Sequence, residues 1–277
     1  MLLSTKELLN DALQGNYAIG AFNVYNLEGV KAVISAAEKF ASPVILQIHP
    51  AALTYGKEAL VAMCLSAADA SCVPTGVHLD HSTELEEIDL ALNSGLHSIM
   101  VDGSHLDYQG NIEFTQRITQ KIHSLSGVVE AELGRISGSE DGLTVPEIEA
   151  KMTDPKHALA FVELTQVDML AVCIGNVHGR YSKPVDFDWQ RLTKIRQVIN
   201  IPLVLHGTSG VPDEMIIKCI ELGISKFNIN TELRQAYMKT LAQSEEGDLL
   251  GLMNDVVKTM QTIVEAKLRL FGSPGKV

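Results

Sequence analysis

The chain of 277 residues is 46% hydrophobic, enough for one large α/β core or two smaller ones. Its formal charge of −12 excludes an extended nucleic-acid or anionic-membrane surface, which needs a basic footprint, but leaves open a locally positive pocket for a small anion. No apolar run approaches the roughly 20 residues of a membrane span, so a soluble, cytoplasmic protein is expected.

The opening MLLSTKELLNDALQ places Ser4 as a candidate N-cap before an amphipathic pattern and predicts a surface helix. Eight short segments rich in apolar or β-branched residues then recur: AIGAFNV from Ala18, PVILQI from Pro43, GVHLDH from Gly76, SIMVD from Ser98, VVEAEL from Val128, MLAVCIG from Met169, PLVLH from Pro202 and KFNIN from Lys226. Helix-like stretches such as LEGVKAVISAAEKF and DEMIIKCIELG separate them, with apolar residues at helical spacing. Apolar strands alternating with helices imply a parallel sheet covered by helices, and eight such units imply a single (β/α)8 TIM barrel over residues 1–277. A doubly wound sheet binding a dinucleotide would carry a glycine-rich turn after its first strand, and AFNVYNLEG has none. The polar stretch GRISGSEDGLTVPE reads as a long mobile loop within the one domain. The closing LLGLMNDVVKTMQTIVEAKLRLFGSPGKV reads as an extra C-terminal helix that closes the barrel or meets another subunit. Cys64, Cys72, Cys173 and Cys219 show no CxxC spacing and read as reduced thiols in mostly apolar surroundings.

Asn23, Asp80 with His81, Asp102, Glu132, His178, His206, and Asn228 with Asn230 all fall at or just beyond the C-terminal ends of their strands. In a barrel these positions converge on the face where active sites form. His81, His178 and His206 can share one metal, and three imidazoles with an open position describe a catalytic zinc site. His49, His78, His97, His105, His123 and His157 are read as structural. HGTSG after the seventh strand and NINTE after the eighth bring small residues and backbone N–H groups together at helix N-termini, where barrels often hold phosphate. Gly179 offers another close backbone approach.

These motifs, with SIMVDGSHL, VEAELGRISGSEDG, GNVHGRY and the tail LRLFGSPGK, resemble the class II, zinc-dependent ketose-bisphosphate aldolases of the fructose and tagatose type along the whole chain. The resemblance implies reversible cleavage of a ketose 1,6-bisphosphate to dihydroxyacetone phosphate and an aldehyde phosphate. It makes His81, His178 and His206 the Zn2+ ligands, Asp80 the acid/base at the substrate C4 hydroxyl and Glu140 the acid in proton exchange. Glu132 becomes an alternate metal ligand, and Asp102 a support behind the ligands. Asn23, Gly179, Gly207, Ser209, Asn228, Asn230 and Thr231 fall on the substrate and its phosphate, with a monovalent cation (Na+ or K+) nearby and a homo-oligomer, dimer or tetramer, as the assembly.

The chain departs from the family in three places. Thr208 stands where a second glycine or alanine is usual, and Arg180 follows the HG of the sixth unit. The segment SEEGDLLGLMND lacks the basic residue that reaches a second phosphate in relatives, so Arg180 becomes a candidate replacement. A ketose 1-phosphate with a carboxylate, sulfonate or neutral distal end is therefore an alternative, as is a non-catalytic companion subunit. A Schiff-base aldolase would need a lysine at a strand end inside the barrel; Lys226 is read as beginning its strand and Lys183 as lying on a loop.

Overall fold

Each of the eight apolar segments becomes a strand of one closed parallel barrel in the computed structural model, which describes residues 1–140, 143–147, 150–179, 181, 184–243 and 248–277. The barrel strands are β1 (Ile19–Asn23), β2 (Val44–Ile48), β3 (Thr75–Ser82), β4 (Ser98–Val101), β5 (Val128–Leu133), β8 (Met169–Val172), β10 (Leu203–Leu205) and β11 (Ile224–Ile229), and β1 pairs with both β2 and β11 to close it. Every residue of these strands is buried, as expected where helices cover the outside and side chains fill the inside.

The outer layer comprises α2 (Leu27–Phe40), α3 (Pro50–Ala70), α4 (Leu85–Asn93), α5 (Tyr108–Ser124), α6 (Pro155–Thr165), α7 (Trp189–Val198), α8 (Asp213–Glu221) and α9 (Thr231–Ala242). Asn26, Asp107, Asp154 and Asp188 accept first-turn backbone N–H groups and so start α2, α5, α6 and α7. The extra helix α10 (Leu249–Phe271) packs between α2 and α9, and Phe271 stacks on Phe227 at 4.9 Å. It closes the helical layer beside β1.

The N-terminal helix α1 (Thr5–Gly15) follows Ser4, whose side chain makes no capping bond. Its apolar face does more than cover surface. Leu8, Leu9 and Ala12 join a core with Ile19, Ala21, Ile45, Met100, Val128, Met169 and Val204, which stoppers the N-terminal mouth of the barrel. None of the described helices is long and apolar enough to cross a membrane.

The expectation of a long loop after β5 is corrected. Its described part forms an antiparallel hairpin, β6 (Ser137–Glu140) with β7 (Leu143–Val145), and β6 also pairs in parallel with the short strand β9 (Val177–His178). The glycine serves close approach: Gly138 lies opposite His178 with φ +114°, and a Cβ there would fall 2.1 Å from the His178 carbonyl oxygen.

Candidate metal centre and active site

In a regular strand Asp80 and His81 would point to opposite faces. Here the β3–β4 pairing passes from Leu79↔Ile99 to Ser82↔Val101 with an irregularity between, and His81 adopts φ +43°. That left-handed conformation costs about 1–2 kcal/mol for a residue with a Cβ. The kink breaks the alternation and lets both side chains reach the same interior site, where both are buried.

Two further histidines arrive from neighbouring units: His206 directly after β10, and His178 on β9 rather than on barrel strand β8. Ring centroids of His81 lie 5.0 Å from His178 and 4.6 Å from His206, nearly perpendicular in both cases. The nitrogens of all three come within 4.8 Å of one another.

The carboxylates behind the rings fix which nitrogens face inward. His81 Nδ1 donates to Asp102 Oδ2 at 2.7 Å, and His206 Nε2 donates to Glu130 Oε1 at 2.9 Å. An ionised carboxylate only accepts. Burial opposes charge on both acids, but His81 holds Asp102 far below the usual carboxylate range, and Lys226 does the same for Glu130. The remaining nitrogens, His81 Nε2 and His206 Nδ1, then face each other across 2.8 Å. With both rings neutral, two lone pairs face each other, an arrangement that a shared proton or a metal cation relieves.

Without a metal, a proton relieves it. Burial disfavours charge on His81, but Asp80, Asp102 and Glu132 outweigh it and raise its pKa well above the ordinary value. His178 and His206 are held low, first by burial and then, among other neighbours, by the charge on His81. Glu132 shows the complementary behaviour: burial and the adjacent Asp102 push its carboxyl well up, and its Oε2 is buried without a hydrogen-bond partner. His81, Asp102 and Glu132 form a second set of donors within 4.8 Å. Converging imidazoles plus an unsatisfied carboxylate oxygen fit a divalent metal.

Asp80 sits beside this cluster in a row of amides. Gln47 Nε2 donates to Asn23 Oδ1 at 3.1 Å, Asn23 Nδ2 to Asp80 Oδ2 at 3.2 Å, and Asn228 Nδ2 to Asp80 Oδ1 at 3.1 Å. Burial would raise the Asp80 carboxyl, but His81, His206, Lys226 and His49 together bring it down to about 2. It is an ionised carboxylate held at fixed orientation next to the three histidines.

The glycine-rich turns pack backbone on backbone. A Cβ on Gly207 would lie 2.4 Å from the Val177 carbonyl oxygen, and one on Gly179 2.9 Å from that of Ser139, with φ positive at both. Tyr181 donates its hydroxyl to the Gly207 carbonyl at 2.7 Å and accepts from Val177 N–H at 3.1 Å, while Asn176 Nδ2 donates to the His206 carbonyl at 3.1 Å. Asn230 and Thr231 lie at the start of α9, and Tyr25 donates to Asn230 Oδ1 at 2.8 Å. Ser209 stands ahead of α8 in the preceding turn. A cavity of about 70 Å³ opens beside the histidines, lined by His49, Thr83, Ser104, Glu132 and Arg135 among others.

The family model described as "Fructose-bisphosphate aldolase class-II" matches residues 3–276. The chain belongs to this family. Among solved structures, this aldolase is similar to the YdjI aldolase from Escherichia coli K12 (37% identity, TM-score 0.90, covering 100% of this chain and 99% of that one). It is also similar to a fructose-1,6-bisphosphate aldolase candidate from Coccidioides immitis (36% identity, TM-score 0.94, 98% and 97% covered). The fructose-bisphosphate aldolase of Campylobacter jejuni shares the fold at 22% identity and TM-score 0.80, covering 100% of this chain and 97% of that one.

The aldolase thus gathers Asn23, Asp80, His81, Asp102, Glu132, His178, His206 and Asn228 at one end of its barrel. The Glu140 side chain, Arg180 and Lys183 lie outside what the structure describes. Sequence reasoning missed Gln47, Glu130, Asn176 and Tyr181, and it misplaced Lys226. That lysine lies inside β11, opposite Ile19 and Val204, rather than beginning the strand. It is buried and paired with Glu130 at 2.8 Å. His78, read as structural, bonds through Nδ1 to Ser98 Oγ at 2.8 Å.

Proposed function

We propose that this class II aldolase is zinc-dependent and reversibly cleaves a ketose 1,6-bisphosphate of the fructose or tagatose type, giving dihydroxyacetone phosphate and an aldehyde phosphate. The observation that carries the reading is the pair of facing nitrogens on His81 and His206, with His178 beside them and the ionised Asp80 next in line. Three imidazoles with an open position suit zinc, with Glu132 as an alternate ligand. When bound, zinc supplies a Lewis acid for the negative charge that develops on the substrate C2 and C3 oxygens as the C3–C4 bond breaks.

Asp80 takes the C4 hydroxyl proton in cleavage and returns it in condensation. Asn23 and Asn228 hold its two oxygens, so the carboxylate meets the substrate in one orientation. Glu140 exchanges the α-proton of dihydroxyacetone phosphate. The backbone at Gly179, Gly207 and Ser209 and the first turn of α9 at Asn230 and Thr231 receive the C1 phosphate, with Asn228 closing the site toward Asp80. Oriented amides and a helix N-terminus suit a phosphate in a chain of net charge −12. A sodium or potassium ion near that phosphate, a cytoplasmic location and a homo-oligomer complete the reading.

One observation favours a second substrate class. The segment SEEGDLLGLMND before and into α10 holds no lysine or arginine, which suits a ketose 1-phosphate whose distal end is a carboxylate, a sulfonate or neutral. Arg180 is assigned to that distal group. The test is a cleavage panel of both 1,6-bisphosphates, a ketose 1-phosphate and acidic-tail analogues, run on wild type and Arg180→Ala. Bisphosphate preference by orders of magnitude in kcat/KM, lost in Arg180→Ala, supports the first reading with Arg180 as the second-phosphate contact. The same preference unchanged in Arg180→Ala removes Arg180 from the site, and preference for another tail replaces the first reading by the second.

A further inference from the structure

A line of buried polar groups runs down the barrel axis beneath the metal donors, and the proposed chemistry does not use it. Lys226 Nζ lies 2.8 Å from Glu130 Oε2, and neither side chain is more than 1% exposed. The other Glu130 oxygen accepts from His206 Nε2 at 2.9 Å. His78 Nε2 approaches Glu130 Oε2 at 3.4 Å, and its other nitrogen meets Ser98, which in turn bonds Thr5 at the start of α1 at 2.5 Å. The line therefore reaches from a metal donor to the opposite mouth of the barrel.

A buried ion pair is an expensive way to fill a core. Desolvation of the two charges offsets most of their attraction, and well-packed apolar replacements are often as stable or more so. Beside apolar interior residues such as Ile19, Met100 and Val204, which face the pair across the strands, the pair calls for an account other than stability. Its geometry supplies one. Lys226 anchors Oε2, which leaves Oε1 aimed at a single ring nitrogen of His206.

We propose that Glu130 and Lys226 are positioning residues of the metal centre: Glu130 holds His206 with Nε2–H pointing into the barrel and Nδ1 toward the metal, and Lys226 locks Glu130 in that pose. The inference rests on the metal-site reading above. It makes His206 the counterpart of His81, with Glu130 doing for one ring what Asp102 does for the other, through the opposite nitrogen. Partners of this kind typically contribute 10–100-fold in metal affinity.

The test combines tautomer and affinity. In wild type loaded with zinc, long-range 15N–1H correlation spectra of histidine-labelled protein are expected to show His206 metallated at Nδ1 and protonated at Nε2; the reverse assignment overturns the proposal without any variant. Glu130→Gln is expected to weaken zinc binding roughly 10–100-fold in a chelator competition. Lys226→Met decides between positioning and mere charge, because removing a nearby cation should by Coulomb attraction tighten binding of a dication. Loss of the lock should weaken it instead, by ~10-fold or more. Because Lys226 acts through Glu130, the double variant should bind zinc no worse than Glu130→Gln alone. Tighter zinc in Lys226→Met, or additive losses in the double variant, overturns the role of Lys226, and unchanged affinity in Glu130→Gln overturns that of Glu130. A wild type that binds no zinc sinks the metal-site reading itself, a result distinct from all of these.

Discussion

Gly138→Ala tests whether the hairpin paired with β9 at His178 is part of the proposed metal site. The added Cβ would stand 2.1 Å from the His178 carbonyl oxygen and 2.9 Å from its backbone nitrogen, at φ +114°. Ordinary contact begins at 3.4 Å, so β6 and β9 must separate by 3.4 − 2.1 = 1.3 Å. Neither contacting atom belongs to a flexible side chain, so the backbone that carries His178 has to move. Strain of this kind costs about 1–3 kcal/mol. Paid in full by the fold, it would lower Tm by ~2–4 °C per kcal/mol. Relieved by displacing β9, it reappears as lost function, because a ~1 Å misplacement of a reacting geometry costs ~10²-fold in rate. The expected result is a kcat/KM down about 10²-fold with weaker zinc binding and a Tm within a few degrees of wild type. Gly95→Ala is the control: its φ is +87°, but its Cβ would meet only Leu65, at 3.6 Å, and it precedes β4 at the end of the barrel opposite His81, His178 and His206. It should lose a similar amount of stability and no zinc affinity. Equal zinc affinity and kcat in Gly138→Ala and wild type would refute the reasoning.

Asp80→Ala is expected to keep zinc and lose ~10²–10⁴ in kcat, the usual worth of general acid–base catalysis; metal analysis showing loss of zinc would reassign Asp80 to support of the site. Zinc bound at His81, as proposed, would compete with the proton on that ring, whose pKa is raised well above the ordinary value by Asp80, Asp102 and Glu132. Chelator titrations should therefore find zinc affinity falling about tenfold per pH unit below that pKa. The same raised pKa stabilises the metal-free fold below the unfolded histidine value and is lost as pH rises through the folded one. Flat zinc affinity across neutral pH would contradict this. Burial pushes the Cys64, Cys173 and Cys219 thiols up to about 12, while Cys72 is exposed. A thiol reagent at neutral pH should modify Cys72 rapidly and the other three only on unfolding, and mass mapping checks which react.

The barrel is legible because its strands are continuous apolar runs between helical patterns. PVILQI and PLVLH are short apolar runs opened by proline, of strand rather than helix length, and the structure places them in β2 and β10. The end-of-strand polar residues were legible for the same reason, since a carboxylate or imidazole closing such a run faces the catalytic mouth. The polar residues inside the strands were passed over, although a two-residue period carries the signal. Glu130 and Glu132, His78 and Asp80, and Lys226, Asn228 and Asn230 share faces, so an interior site for one member implies it for the others. His81 breaks that period through its positive φ, which no spacing rule announces. SGSE reads as loop from sequence because glycine and serine also mark turns. Only the strand partner His178, distant in sequence, shows that Gly138 is there for backbone approach.

A metal held by His81, His178 and His206 is proposed to give this chain its aldolase activity. Metal content and ketose-bisphosphate cleavage measured on the same sample, before and after chelation and after zinc is returned, test it most directly. About one zinc per chain is expected in a three-histidine site, with cleavage abolished on removal, restored on return and absent from His206→Ala. Undiminished cleavage by the stripped protein, with borohydride trapping substrate on Lys226, would contradict the account and turn the buried lysine into the nucleophile.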